Sequence, residues 1–346
     1  MDADALGNIT NFYMDRYIDG TAGSIANGTY GPQSFGTLDS FGYGTLNLGP
    51  YTLSYFLVNS GHIIVIASSS SDLMGLPAGH MYSQSSAAPS LAGTYIFTLA
   101  GSTPTPSANG ASVVGSFPQA LGGWLTSDLS GNLNGYLDTN NNGTVQGSSV
   151  SGTLVPSADN GRWIMTLSGG GASRFALYPT ISHGLLMLQL DTQKSGIGAA
   201  LVQAVPLPTF QGTYAASVQQ LGLVNVARNP SVALPVGPWT DISGQIIASS
   251  SSGITGTLDV DQVNGLFLGP SGNFWTQTPG VSLTGGFAVG AQGRDTGTLT
   301  LNQLVSITTN QPETMSVILY VVDDTTAMLL ENDGSPAAGI LQVQKF

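Results

Sequence analysis

The chain has 346 residues, 41% of them hydrophobic and only 8% charged, with 47 glycines and a mean hydropathy of +0.18. Seven Lys and Arg against 19 Asp and Glu leave a net charge of −12, which repels nucleic-acid backbones and anionic membrane surfaces. There is no cysteine, so disulfides, thiolate catalysis and cysteine-based zinc sites are all excluded.

Taken in chain order, the sequence opens on Met1-Asp2-Ala3-Asp4, acidic where a signal peptide would be basic and then apolar. The longest apolar run, Ile63 to Ala67, is the length of a strand, so no membrane span is expected. Short β-branched runs separated by Gly, Asn, Asp and Ser point to strands and tight turns throughout. Between 91 and 205 the strands are predicted near 93–100, 112–127, 132–138, 148–155, 161–168, 173–181, 184–190 and 198–205. Asp128 to Asn132 and Ser157 to Gly161 read as turns between them.

Landmarks recur at a fixed interval. Asp138 follows Asp15 by 123 residues, and Asp259 follows Asp138 by 121. Gly93-Thr94-Tyr95 returns as Gly212-Thr213-Tyr214, Gly115-Ser116-Phe117 as Gly237-Pro238-Trp239, and Gly161-Arg162 as Gly293-Arg294. A closing strand ends in Gln84, Gln203 and Gln344. Such self-similarity marks tandem repeats: a truncated one at 1–84, a full one at 91–205, and a full one with insertions near Asn264 to Pro279 at 210–346. Pro-bearing linkers, Ser85 to Pro89 and Pro206 to Pro208, separate them. The expected fold is all-β, with tandem antiparallel up-and-down barrels of about eight strands, lipocalin- or avidin-like, because closure removes exposed strand edges. β-Sandwiches are the alternative.

The series Gly-Thr-Tyr, Gly-Ser-Phe, Ser-Gly-Asn with a following Asp, Gly-Arg, Phe175 to Tyr178 and a terminal Gln resembles a repeat of secreted proteins from soil Acidobacteria. The resemblance covers nearly the whole chain and carries no assigned activity. It implies an extracellular or cell-surface parent protein, of which this chain reads as a fragment starting at an internal Met. The first repeat is expected to keep about six of eight strands, and its open edge to pair with a second chain as a two-fold homodimer.

Three histidines are the main chemical signal: His62, His80 and His183. With a turn centred near Ser71, His62 and His80 face each other across a hairpin, at a separation that suits two ligands on one zinc ion. Asp15, Asp19, His183 or a residue of a partner chain are the candidate third ligands, and a metal-bound water would then be a hydrolytic nucleophile. Asp138 to Gly143 has the oxygen spacing of the front of a calcium loop, but lacks the acidic residue that closes one. Glu occurs only at Glu313 and Glu331, and no nucleophile elbow or phosphate loop is present. Trp124, Trp163, Trp239 and Trp275 are expected to fill barrel interiors and ends. Two functional readings follow. One is a secreted surface module for adhesion or ligand binding, with a small apolar molecule as a candidate barrel occupant. The other is a zinc-dependent hydrolase of esters or phosphoesters sited in the truncated repeat.

Overall fold

A computed structural model describes residues 2–3, 8–11, 13–18, 21–26, 34–48, 51–70, 78–84, 91–106, 113–157, 161–169, 173–181, 184–191, 194–220, 239–263, 275–305, 312–333 and 336–344. The N-terminal part contributes β1 (Asp2–Ala3), β2 (Ile9–Asn11), β3 (Tyr13–Ile18), β4 (Thr21–Ala26), β5 (Ser34–Phe35), β6 (Tyr43–Leu48), β7 (Tyr51–Asn59), β8 (His62–Ser70) and β9 (Ala78–Tyr82). Strands β5 to β9 form one five-stranded antiparallel sheet, while β1–β2 and β3–β4 are separate hairpins. An isolated bridge between Asn8 and Ser34 ties the two regions together.

The next eight strands are β10 (Gly93–Pro106), β11 (Val113–Ser127), β12 (Asn132–Asn141), β13 (Thr144–Pro156), β14 (Trp163–Ser168), β15 (Ser173–Pro179), β16 (Gly184–Gln189) and β17 (Ser195–Val202). They pair in sequence order, and β17 returns to β10 through Tyr95↔Val202 to Ser102↔Ser195, closing a barrel. A second closed barrel has β18 (Gly212–Gln220), β19 (Trp239–Ala248), β20 (Gly253–Val263), β21 (Trp275–Ala288), β22 (Arg294–Val305), β23 (Pro312–Val321), β24 (Thr326–Glu331) and β25 (Ala337–Val343). Two antiparallel eight-stranded up-and-down barrels are therefore present, and closure rules out the sandwich alternative.

Local chemistry explains the elements. In β12, Leu133 and Leu137 point inward and are 4% and 1% exposed, as the period of two requires. The turn from β12 to β13 is two residues, Asn142 and Gly143, both at positive φ (49° and 84°), the signature of a tight hairpin between twisted strands. Before β12, the Asp128 carboxylate accepts hydrogen bonds from the Asn132 side-chain amide and from the Asn132 and Ser130 backbone amides, all at 2.8 Å, and these, the Asn132 side chain first, hold its pKa below the ordinary value. Glycine permits close strand approach at Gly152, where an added Cβ would lie 2.1 Å from the Thr166 carbonyl oxygen.

The interior of the first barrel is apolar, packed with Phe97, Leu99, Leu137, Met165, Leu167 and Phe175. The second is filled by Tyr214, Ile254, Val281, Leu283 and Leu319 among others. Outer positions such as those of β13 are polar and exposed. That pattern is the reverse of an outer-membrane barrel, whose apolar band faces lipid. Among the described residues no helix is long and apolar enough to cross a membrane.

The barrels share a further apolar cluster. Ile96 and Ala120 of the first meet Ile318, Tyr320, Val322, Met328 and Leu330 of the second, with Trp124 packed against them. Trp124 thus covers the outside of a barrel and not its inside, a departure from the sequence expectation. Its strand alternation explains this: neighbouring Leu125 takes the inward position. Trp163 packs on the first core, while the side chains of Trp239 and Trp275 lie outside the described residues.

Candidate functional site

His62 opens β8 and His80 lies in β9, and the register pairs His62 with Tyr82 and Ile64 with His80. The histidines are therefore diagonal neighbours on one face, not directly opposed: His62 pairs with Tyr82, two residues beyond the partner that the sequence suggested. Diagonal partners remain within reach of ring side chains. His62 Nε2 and His80 Nδ1 lie 2.8 Å apart, so one ring donates to the other. Tyr82 stacks on His62, with centroids 4.4 Å apart and planes 11° apart, and also lies 6.2 Å from His80. His62 is half-buried and His80 exposed.

Of the other predicted ligands, only Asp15 lies within the described residues. His183 and Asp19 lie outside the described residues. Asp15 is committed elsewhere: its carboxylate meets Arg162 of the first barrel at 2.7 Å and 3.0 Å and accepts a hydrogen bond from the Tyr178 hydroxyl. The Asp15 side chain is 3% exposed, buried against its two donors. Among the described residues no group of three His, Asp or Glu side chains is placed to hold a metal ion.

The same arrangement occurs one repeat later. Asp138 on β12 receives Nε and Nη2 of Arg294 from β22 at 2.7 Å and 2.8 Å, and the Tyr320 hydroxyl from β23. The guanidinium also sits 5.4 Å above the Tyr136 ring. Arg294 has its pKa raised by its hydrogen bonds to Asp138, and Tyr320 has its own pushed well above 10.0 by burial and then by the Asp138 charge. Asn140, two residues on, donates to the Glu331 and Asp333 carbonyls of the second barrel. The oxygen-rich stretch from Asp138 to Gly143 is thus a strand end and hairpin, of which Asp138 and Asn140 bind the neighbouring repeat. These are Asp–Arg–Tyr clasps, each joining one repeat to the next. Sequence reasoning noted the recurrent Asp, the recurrent Gly-Arg and the Tyr of Phe175 to Tyr178, yet did not join them. The common interval was the available signal.

The clasp positions identify the equivalent face of the first repeat. A positive-φ glycine precedes the key residue in all three repeats: Gly42, Gly161 and Gly293, at 79°, 70° and 67°. Arg294 pairs across strands with Tyr320, and in the first repeat Tyr43 pairs with Phe56. Two aromatic residues there replace the Arg–Tyr pair, with ring centroids 5.3 Å apart. His80 corresponds to Ala199 and Ile340, which pair with Leu186 and Met328 as His80 pairs with Ile64. The face that the second barrel buries against the first is in the N-terminal sheet exposed, with Phe56 at 43% and Ile66 at 51%.

The first barrel encloses a cavity of about 20 Å³ lined by Tyr95, Phe97, Leu133, Met165 and Met187 among others. That space holds about one water-sized group. None of its lining residues is a carboxylate. Burial raises the pKa of Glu313, with the Asp333 charge adding to it, and burial raises that of Asp295.

No family model matches the chain, and no curated protein matches it. Among solved structures it is similar to a crystal structure of the vaccine antigen transferrin binding protein B from Haemophilus parasuis Hp5, a single-tryptophan mutant. The two are 8% identical over 96% of this chain and 100% of that one, with a TM-score of 0.23. A double mutant of the same antigen is 10% identical over 83% and 84% of the two chains, again with a TM-score of 0.23. At that level the likeness carries no conclusion about ligand or partner.

Proposed function

We propose that this chain is a non-enzymatic surface module, an array of rigid barrels that binds through its exterior and not through a barrel lumen. The observation that supports it best is the use made of the polar groups. The two buried repeat aspartates, Asp15 and Asp138, are bound up in clasps between repeats, while the first barrel's interior leaves about 20 Å³. Within the first barrel, that space is too small for a lipocalin-type ligand. The resemblance to secreted Acidobacteria repeats adds an extracellular or cell-surface setting. The test is binding and turnover measured on one preparation. An apolar fluorescent probe should find no stoichiometric site, ester and phosphoester substrates should show no turnover, and the chain should be retained on an insoluble polysaccharide or matrix-protein surface. Stoichiometric probe uptake or chelator-sensitive turnover would overturn the reading.

A second reading rests on the 2.8 Å contact between His62 and His80. Two neutral imidazoles on adjacent strands suit a zinc ion. Extending this to a hydrolase needs a third protein ligand and an open position for water, and Asp15 is already held by Arg162 and Tyr178. Equilibrium dialysis against zinc, with His62→Ala as the comparison, tests the metal; chelator-sensitive ester hydrolysis tests the chemistry.

A further inference from the structure

We propose that two copies of this chain join through the outer face of β6 to β9, and that His62 and His80 of both copies together hold one zinc ion. The proposal rests on the metal reading and supplies what that reading lacks. A closed zinc site takes four ligands. One chain brings two imidazoles together, and its described residues contain no group of three. A two-fold axis beside the pair turns two ligands into four, with the same surface used on both sides.

The face itself argues for a protein occupant. In the second barrel the equivalent strands bury Ile318, Tyr320, Met328 and Leu330 to 2% exposure or less against the first barrel. The N-terminal sheet keeps the apolar character of that face and leaves it uncovered: Tyr43 is 37% exposed, Phe56 43%, Ile66 51% and Tyr82 37%. What it lacks is the Arg that pairs with an aspartate in the other two repeats; Tyr43 stands there. Without that cation the face loses its match for an aspartate-bearing repeat. A face of Tyr, Phe, Ile and His without Asp, Glu, Lys or Arg among the residues named fits a second copy of itself. It also gains the two histidines, at positions where the full repeats carry none.

The geometry needs little adjustment. Two nitrogens on one tetrahedral zinc are about 3.3 Å apart for bonds of about 2.0–2.1 Å, against 2.8 Å here. The ring that donates in the present contact moves its proton to its other nitrogen, so both lone pairs face the metal and no net proton is released. Tyr82, stacked on His62, fixes the ring plane.

The test uses the full chain, stripped with EDTA and then given zinc chloride, with molar mass from light scattering and bound zinc by elemental analysis. Expected are a monomer without metal and a dimer with one zinc per two chains. His62→Ala and His80→Ala should stay monomeric and bind no zinc. Ile66→Arg, which keeps both ligands, should raise the dimer dissociation constant at least tenfold, with circular dichroism showing the barrels unchanged. If the chain binds no zinc, both the metal reading and the dimer fall. One zinc per chain with the mass still monomeric keeps the metal and overturns the shared site. A dimer that persists in EDTA and in His62→Ala overturns the role of zinc.

Discussion

Asp138 and Arg294, on β12 and β22, meet side-on through two hydrogen bonds of 2.7 Å and 2.8 Å, and so fasten one barrel to the next. The fork geometry suits arginine and not lysine. Tyr320 adds its hydroxyl to the same carboxylate, and the surrounding Ile318, Met328 and Leu330 exclude water. Asp15 and Arg162 repeat the contact one unit earlier. Asp259, the third member of the aspartate series, is exposed and accepts only the Gly280 amide, at 2.9 Å, among its described contacts.

That contrast gives a controlled experiment. Asp138→Ala leaves Arg294 facing an apolar interface without its partner. Removing one member of a buried pair costs about 3–5 kcal/mol. The expected result is a lower denaturation midpoint and separate unfolding transitions for the two barrels. Asp259→Ala removes the equivalent residue, against which no Arg or Tyr among the described residues docks, and should cost about 1 kcal/mol or less. Equal losses from both variants would refute the clasp as the coupling element.

Tyr320 makes a pH prediction. Its folded-state pKa is raised well above 10.0, first by burial and then by the Asp138 charge. The folded state therefore holds the phenol proton more tightly than the unfolded state does. The sign follows: this contribution is fully present below pH 10 and is lost as pH rises toward the folded pKa. Above pH 10 the wild type should lose about 1.4 kcal/mol per pH unit from this residue. Tyr320→Phe should flatten that alkaline limb while costing about 1.5–3 kcal/mol at pH 7 for the lost hydrogen bond to a charged group. Chemical denaturation from pH 7 to 11 measures both.

The barrels were legible in the sequence because each signal was local and repeated. Alternation in strands such as β12, the Asn142-Gly143 hairpin and the Asp128 turn each declare themselves within ten residues, and the repeat interval triples the evidence. The contact of His62 with His80 was also readable, since both lie on one hairpin, although His62 pairs with Tyr82, two residues beyond the expected His80. What escaped was long-range. Arg294 and Asp138 are 156 residues apart, and no local pattern distinguishes a carboxylate that will be clasped from one like Asp259 that stays in water. Trp124 was misplaced for the same reason: its strand signals an outward position, but only a neighbouring repeat explains why an outward residue is apolar. The open five-stranded sheet of the N-terminal part was similarly expected only as a shortened barrel.

Strand glycines set how closely the barrel walls coil. An added Cβ at Gly152 would lie 2.1 Å from the Thr166 carbonyl oxygen, a backbone atom that cannot step aside. Gly152→Ala is expected to cost about 1–3 kcal/mol by overpacking. At Gly79 nothing lies within 4 Å of such an atom. Gly79→Ala should instead be neutral or stabilise by up to about 1 kcal/mol, through the unfolded chain. A thermal melt of each variant decides the matter, and a larger loss at Gly79 would contradict the packing argument.

Arg162 offers the last prediction. It is 11% exposed and reaches from the first barrel to Asp15 on β3, whose hairpin belongs to no closed barrel. A hairpin outside a closed sheet has few neighbours to hold it, so its docking depends heavily on such contacts. Arg162→Leu leaves the buried Asp15 carboxylate without its cation and with the Tyr178 hydroxyl still donating to it, whereas Arg162→Lys keeps one charge and loses the fork. Limited proteolysis should therefore cut within the first 84 residues fastest in Arg162→Leu, more slowly in Arg162→Lys and slowest in the wild type. The two barrels, each closed by its own strand pairing, should survive as a resistant fragment in all three. Protection of the N-terminal part that is unchanged in Arg162→Leu would show that the Asp15 clasp does not hold it.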